Sequence, residues 1–215
     1  MTRRPERLLV PGPAGSIEIV VDHPAIFPTE GAEETARGIA LVAHPHPLFG
    51  GTLDNKVAQT LAKAFAELGY VTIRPNFRGI GATEGAHDHG DGETEDLVRV
   101  IEWAHARFGP LPVVLAGFSF GAYVQTRVAR RVKPERMALV GVPHGLVTGG
   151  RTYKTAPVPS DTIVIHGEQD ETAPLASVLD WARPQELPIV VVPGADHFFH
   201  RKLHLIKNII KGAWN

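Results

Sequence analysis

Cysteine is absent from this sequence, and its absence excludes several kinds of site before any motif is considered. Without cysteine the chain has no disulfide, no thiolate ligand for a metal and no cysteine nucleophile. The sequence also lacks any uninterrupted apolar run near the roughly 18 residues that a membrane-spanning helix needs. The basic, proline-containing start is not followed by the apolar core of a signal peptide. We therefore expect a soluble, cytoplasmic protein that does not act with a membrane.

An excess of charge of either sign is lacking as well, since 22 Lys and Arg residues stand against 23 Asp and Glu residues. Binding to nucleic acid phosphates needs a concentrated cationic surface, and only Arg3, Arg4 and Arg7 form a short basic cluster. Nucleic acid is therefore not expected as a partner. No linker or internal repeat divides the 215 residues, so we expect one domain over residues 1–215.

Short apolar runs alternate with segments of helical periodicity along most of the chain. The runs at residues 8–11 and 16–21 flank a Gly-Pro-Ala-Gly turn and predict an antiparallel edge hairpin. Further strands are predicted at residues 38–43, 70–74, 113–116, 137–142, 162–166 and 189–192, and helices at residues 54–68, 93–108, 122–131, 174–182 and 202–213. The pattern predicts an α/β fold, in which a mostly parallel sheet of about eight strands carries helices on both faces. Residues 23–37 are expected to form an exposed connection, and residues 143–160 are too few for a cap domain.

The motif Gly117-Phe-Ser119-Phe-Gly121 stands between a predicted strand and a predicted helix. A serine between two glycines at such a junction lies on a strained turn, which exposes its hydroxyl above the edge of the sheet. The same pattern also occurs in ordinary turns. Its interpretation as a nucleophile therefore depends on the residues at the ends of the other strands.

Polar residues that suit a serine nucleophile come after two later strands. Ser119, Asp170 and His197 each come directly after a predicted strand, at the sheet edge where ligands bind in open parallel sheets. A nucleophilic serine needs an imidazole to accept its proton, and the imidazole needs a carboxylate that fixes its tautomer. The sequence therefore predicts Ser119 as nucleophile, His197 as general base and Asp170 as the acid that orients the base.

With these motifs the chain resembles the α/β-hydrolase superfamily over nearly its whole length. The resemblance is carried by the serine turn, the acid loop His166-Gly-Glu-Gln-Asp170-Glu and the histidine loop Gly194-Ala-Asp-His197-Phe-Phe. The stretches Ala43-His-Pro-His-Pro-Leu-Phe-Gly-Gly51 and Arg74-Pro-Asn-Phe-Arg-Gly-Ile-Gly81 look like a small lid-less branch, similar to dienelactone-hydrolase-like and acyl-peptidase-like enzymes. The resemblance implies a fold without a cap domain and places the acid at Asp170, with Glu168 as the alternative. Dienelactone hydrolases use a cysteine nucleophile, so a dienelactone substrate is not expected here.

An oxyanion hole needs two N–H donors, one directly after the nucleophile, here Phe120, and one from the loop after the third strand. The two prolines of that loop have no N–H, which leaves three candidates, His46, Leu48 and Phe49. The resemblance to dienelactone-hydrolase-like loops implies Leu48. Aromatic side chains near the serine are expected to line the substrate pocket, namely His46, Phe49 and Phe118.

The 11 histidines raise the question of a metal site. Two groups have closely spaced ligands, one made of His44 and His46 and the other of His87, Asp88, His89 and Asp91. Neither has the spacing of a zinc motif such as H-E-x-x-H. The glycines after residue 78 do not follow the first strand, as a dinucleotide fingerprint would. We therefore expect neither a metal nor a cofactor.

These residues predict a serine hydrolase that cleaves small-molecule carboxylic esters through an acyl-enzyme. The absence of a cap and the bulky Phe118 and Phe120 beside the serine favour small or short-acyl esters. Peptidase, amidase or thioesterase activity on the same triad is the alternative within the class, and a non-catalytic binding protein is the alternative outside it. An exposed edge hairpin and aromatic surface residues would allow a homodimer.

Overall fold

The structure is a computed structural model, and it describes residues 4–24 and 36–214. The strands in those ranges are β1 (Glu6–Gly12), β2 (Gly15–Asp22), β3 (Gly38–Ala43), β4 (Tyr70–Pro75), β5 (Val113–Phe118), β6 (Arg136–Val140), β7 (Gly145–Leu146), β8 (Thr152–Tyr153), β9 (Ile163–Gly167) and β10 (Ile189–Val192). The α-helices are α1 (Lys56–Glu67), α2 (Asp91–Phe108), α3 (Phe120–Val128), α4 (Leu175–Ala182) and α5 (Leu203–Ala213). Every predicted strand and helix corresponds to one of these elements, with ends that shift by a few residues.

Eight strands form one sheet in the order β1-β2-β4-β3-β5-β6-β9-β10. β1 pairs antiparallel with β2, and β2 with β4, whereas every pair from β4 to β10 is parallel. A two-residue turn can reverse the chain at the first edge, but parallel neighbours need longer helical connections. The mostly parallel sheet with an antiparallel N-terminal edge is thus confirmed.

Helices cover both faces of the sheet, which explains why β3, β4 and β5 are buried at every residue. On one face, α1 and α5 pack through side chains such as Phe65 and Ile206. On the other face, α2, α3 and α4 pack through side chains such as Val100, Val124 and Trp181. Two apolar layers therefore hold the central strands rigidly, and the carboxyl ends of those strands carry the polar residues of the candidate site.

The segment between β6 and β9, all of which the structure describes, holds a feature that no sequence pattern predicted. β7 and β8 form a small antiparallel hairpin that pairs Gly145 with Tyr153 and Leu146 with Thr152. Strands of two residues are too short to produce an alternating pattern. The hairpin is the only regular structure in that described segment, so no cap domain is inserted there.

The connection expected at residues 23–37 falls mostly at residues 25–35, which lie outside the described residues. Among the helices of the described ranges, none has the length and apolar character needed to cross a bilayer.

Candidate active site

Ser119 lies on the sharp turn between the end of β5 and the start of α3. Its φ of 55° and ψ of −122° fall where side chains other than glycine are rare, so the turn stores backbone strain. Gly117 and Gly121 make the turn sterically feasible. A Cβ on Gly117 would lie 2.6 Å from the backbone of Gly121, and a Cβ on Gly121 would lie 2.3 Å from the carbonyl oxygen of Ala43. The strand-turn-helix context that the serine motif requires is therefore present.

The side chains of Ser119, His197 and Asp170 form one hydrogen-bonded chain. His197 Nε2 lies 3.0 Å from Ser119 Oγ, and His197 Nδ1 lies 2.7 Å from Asp170 Oδ2. The carboxylate is an acceptor, so in the neutral imidazole the proton is on Nδ1 and Nε2 is free to accept the serine proton. The structure thus brings together three side chains that the sequence places at three separate strand ends.

Backbone hydrogen bonds hold Asp170 in the orientation that His197 needs. Asp170 Oδ1 accepts the N–H groups of Thr172 and Ala173, at 2.9 and 2.8 Å, which leaves Oδ2 for the imidazole. Glu168, the alternative acid, instead accepts the N–H of Gly194 at 2.7 Å. Glu168 therefore links the acid loop to the histidine loop without contacting the imidazole.

The other polar residues of the histidine loop are engaged away from the serine. Asp196 and His200 bond to each other, with 2.6 Å between Oδ2 and Nδ1, and α5 begins only after them. Phe118, which was expected to line the pocket, has no exposed surface and stacks 4.8 Å from the His197 ring. Since its side chain belongs to the apolar layer of α1 and α5, Phe118 supports the imidazole and does not line an open pocket.

The loop after β3 changes the choice among the oxyanion candidates. The N–H of Leu48 donates to His46 Nδ1 at 3.3 Å, and the N–H of Phe49 donates to the His46 carbonyl at 3.2 Å. Within residues 4–24 and 36–214, neither His46 nor Phe120 donates its N–H to any atom. Of the three candidates in the loop, His46 is therefore the one whose donor is free to meet a substrate oxygen.

His44 holds this loop against the loop that follows β4. Its Nδ1 lies 2.7 Å from the Pro45 carbonyl oxygen, and its Nε2 accepts the N–H of Phe77 at 2.9 Å. The ring is fully buried, and burial lowers the pKa of His44 to about 3. His44 is therefore a neutral structural residue near neutral pH, with the proton on Nδ1.

Two cavities lie near the triad side chains, one lined by Phe120 and the other by His197. One, of about 260 Å³, is lined by His46, His87, His89, Phe120, Tyr123, Arg151, Thr152 and Tyr153. The other, of about 310 Å³, is lined by Gln169, Glu171, Thr172, Asp196, His197 and Phe198. We call them the His46 cavity and the His197 cavity. His46 lines the first, while Phe49 is largely exposed, with its ring centroid 4.9 Å from that of His46.

Three residues of the His46 cavity, Arg151, Thr152 and Tyr153, belong to or adjoin the β7–β8 hairpin and were missed in the sequence. The sequence does contain a signal for this hairpin, the pair Gly149-Gly150. In the structure these glycines lie at the hairpin turn with φ values of 87° and 76°. A Gly-Gly pair is a known hairpin signal. In the part of the chain that the structure describes, no group of three or more His, Asp or Glu side chains is placed to hold a metal ion.

Comparison with known proteins places this fold and site in a family. The profile of the alpha/beta hydrolase fold matches residues 46–144. The crystal structure of XC6422 from Xanthomonas campestris, described as an a/b serine hydrolase without lid, is 34% identical, with a TM-score of 0.85 over 99% of this chain and 94% of that one. The uncharacterized protein RP471 of Rickettsia prowazekii is 31% identical over 76% of this chain and 73% of its own length.

A more distant relative is the lysophosphatidylserine lipase ABHD12 of Danio rerio. It is 32% identical over 94 residues, which are 42% of this chain and 24% of that protein. This chain therefore matches only about a quarter of ABHD12. The full-length likeness to XC6422, the sheet order and the serine turn together show that the chain belongs to the α/β-hydrolase superfamily.

Proposed function

We propose that this hydrolase cleaves carboxylic esters through an acyl-enzyme formed on Ser119. His197 acts as general base and then as general acid, and Asp170 orients the His197 ring. The N–H groups of Phe120 and His46 form the oxyanion hole, with His46 taking the place first assigned to Leu48. The observation that carries this proposal is the chain of bonds from Asp170 through His197 to Ser119.

The reaction follows from the protons and charges of these groups. Ser119 Oγ attacks the ester carbonyl carbon as His197 Nε2 takes the hydroxyl proton, and the carbonyl oxygen becomes an oxyanion between two N–H donors. Collapse of this intermediate breaks the bond to the alcohol oxygen, which receives the proton from Nε2. Water then attacks the acyl-enzyme with His197 again as base, and the acid leaves.

Two observations favour esters as the substrate class. The described segment between β6 and β9 contains no cap domain, and small cavities adjoin Phe120 and His197, which suits compact substrates. The relative ABHD12 is named a lipase, and lipases cleave carboxylic esters. Amide or thioester cleavage would use the same three side chains, so the substrate assay has to include both.

The test compares p-nitrophenyl acetate and butyrate hydrolysis by the wild-type protein and by Ser119→Ala. We expect kcat/KM to fall by at least about 10⁴-fold in Ser119→Ala, because removal of the nucleophile leaves only binding and the oxyanion donors. Ser160→Ala, which alters an exposed turn serine, is the matched control and should retain full activity. Equal turnover by wild type and Ser119→Ala would contradict the proposal.

Substrate class is tested in the same assay with an anilide and a thioester of butyric acid. We expect the ester to be cleaved with a higher kcat/KM than the anilide, because an ester carbonyl is more electrophilic than an amide carbonyl and its alcohol is the better leaving group. Faster anilide cleavage would assign an amidase, and faster thioester cleavage a thioesterase. A fluorophosphonate that labels a residue other than Ser119 would contradict the choice of nucleophile.

A further inference from the structure

The His46 cavity contains an arginine without a carboxylate partner among the described residues. Arg151 Nη1 donates to the Tyr153 hydroxyl at 3.3 Å, and Nη2 donates to the Thr148 carbonyl at 3.2 Å. Its Nε is buried and has no hydrogen-bond partner within the described residues. Its guanidinium carbon lies 4.2 Å from the centroid of the Phe49 ring, which holds the group in place. No described carboxylate neutralises this cation, so the cavity has an unpaired positive charge.

Two other arginines with mostly buried side chains pair with carboxylates. Arg78 pairs with Asp96 at 2.6 Å, and Arg74 pairs with Asp22 at 3.1 Å. The Arg151 guanidinium is only partly buried and has no carboxylate partner among the described residues, so it remains available to an anionic ligand. Since guanidinium groups match carboxylates in a bidentate geometry, Arg151 is suited to a carboxylate of the substrate.

His46 adds a neutral donor to the same cavity. Its Nδ1 accepts the N–H of Leu48, so the ring proton is on Nε2. Burial, together with Coulombic repulsion from His87, Arg151 and His89, lowers the pKa of His46 to about 4. The ring therefore donates a hydrogen bond near neutral pH without adding charge. Among the described residues that line this cavity, Arg151 is the one whose side chain is permanently charged.

The remaining titratable groups around the cavity do not cancel the charge of Arg151. Glu93 lies behind His87, with 2.7 Å between Oε1 and Nδ1, although the contact does not follow the ring N–H direction. The two oxygens of Glu93 accept the N–H groups of Asp88 and Gly90. Glu93 thus caps the start of α2 and is fully buried, away from the cavity surface.

The position of His197 decides which part of an ester enters each cavity. His197 must give its proton to the leaving alcohol, so the alcohol has to lie on the His197 side of Ser119. The acyl group then extends to the other side, past Phe120 and into the His46 cavity. The His197 cavity presents the carboxylates of Glu171 and Asp196, which disfavour an anionic alcohol.

We propose that the His46 cavity binds the far carboxylate of a short dicarboxylic acyl group, with Arg151 as the specificity-determining residue. The substrates are then monoesters of small dicarboxylic acids with uncharged alcohols. A cavity of about 260 Å³ fits an acyl chain of a few carbons, and one guanidinium matches one negative charge better than a phosphate dianion. This inference rests on the proposed esterase function and names its acyl specificity.

The test measures kcat/KM for monomethyl succinate and for methyl isocaproate, which has an isopropyl group where succinate has its carboxylate. Proton release at constant pH follows both reactions. We expect the wild-type protein to prefer monomethyl succinate, and Arg151→Gln to lower the ratio of the two kcat/KM values at least tenfold, or about 1.4 kcal/mol. Arg130→Gln, at an exposed arginine outside the cavity, should leave the ratio unchanged.

Two further measurements separate charge recognition from damage to the site. Arg151→Lys keeps the charge and should recover part of the ratio lost in Arg151→Gln. Free succinate should inhibit p-nitrophenyl butyrate hydrolysis competitively in the wild-type protein and more weakly in Arg151→Gln. An equal loss of both methyl ester activities in Arg151→Gln, or a wild-type preference for methyl isocaproate, would overturn the inference. Neither result affects the proposed function, which is tested separately by the dependence of p-nitrophenyl ester hydrolysis on Ser119.

Discussion

At the scale of single residues, the choice of the second proposed oxyanion donor depends on which N–H groups of the loop after β3 already donate hydrogen bonds within that loop. Leu48 and Phe49 both donate within the loop, toward atoms of His46, and of the three candidates only His46 keeps its own N–H available. His46 also has a φ of −57°, which is close to the value that the proline ring imposes. A proline at this position would therefore delete the donor with little change to the backbone.

We predict that His46→Pro lowers kcat for p-nitrophenyl butyrate about 10²-fold more than His46→Ala does. Both variants lose the imidazole, but only the alanine variant keeps the backbone N–H. The kcat ratio of the two variants thus isolates the donor, and a thermal unfolding scan of each checks that it is folded. If both variants have the same kcat, the N–H of His46 does not stabilise the oxyanion.

At the scale of elements, the serine turn depends on how closely α3 approaches β3. A Cβ on Gly121 would lie 2.3 and 2.4 Å from the carbonyl oxygens of Ala43 and His44, and backbone atoms at the end of a central strand cannot easily move away. Gln125 fixes the same helix, because its Nε2 donates to carbonyls of β3 and β5 at 2.9 Å. The helix is therefore held at both its first and its second turn.

We predict that Gly121→Ala destabilises the protein by roughly 3 kcal/mol, which corresponds to a fall of about 6–12 °C in Tm, and reduces esterase activity. The matched control is Gly212→Ala in α5, where a Cβ meets no atom within 4 Å. That change should raise stability by roughly 0.5–1 kcal/mol through helix propensity. Calorimetric scans of both variants measure these shifts. A Tm for Gly121→Ala at or above that of the wild type would show that α3 can move away from β3.

At the scale of the whole molecule, buried neutral histidines make folding stability depend on pH. The folded-state pKa of His44, at about 3, lies well below the ordinary value of 6.5. The unfolded chain therefore binds a proton at this residue below pH 6.5 that the folded chain does not bind. The folding stability that the neutral His44 ring contributes is fully present above pH 6.5 and is lost as the pH falls toward about 3.

We predict that His44→Gln is less stable than the wild type near neutral pH but loses stability less steeply on acidification. The difference in slope should approach about 1.4 kcal/mol per pH unit between about pH 6 and pH 4, because one titrating group is removed. Urea unfolding over this pH range measures the slopes. His204→Gln, at an exposed position of α5, is the control and should follow the wild-type slope. Parallel slopes for the wild type and His44→Gln would refute the assignment of His44 as a residue that stays neutral in the folded protein.

The sequence alone determined the fold class, the order of nearly all elements, and the three residues now found in one hydrogen-bonded chain. These features are local in origin. Apolar runs and helical periodicity follow from which side chains must be buried, and the strand-end rule places Ser119, Asp170 and His197 at the same edge of the sheet.

Only the tertiary structure decided features that depend on atoms from distant segments. Whether Leu48 or His46 offers a free N–H depends on hydrogen bonds inside an irregular loop, which residue types do not specify. Phe118 turned out to be buried because the pleat directs its side chain into the layer of α1 and α5. Arg151 lines the His46 cavity with Phe120 because the β7–β8 hairpin, some 30 residues beyond the serine, packs beside it, and a contact across that separation leaves no periodic trace in the sequence.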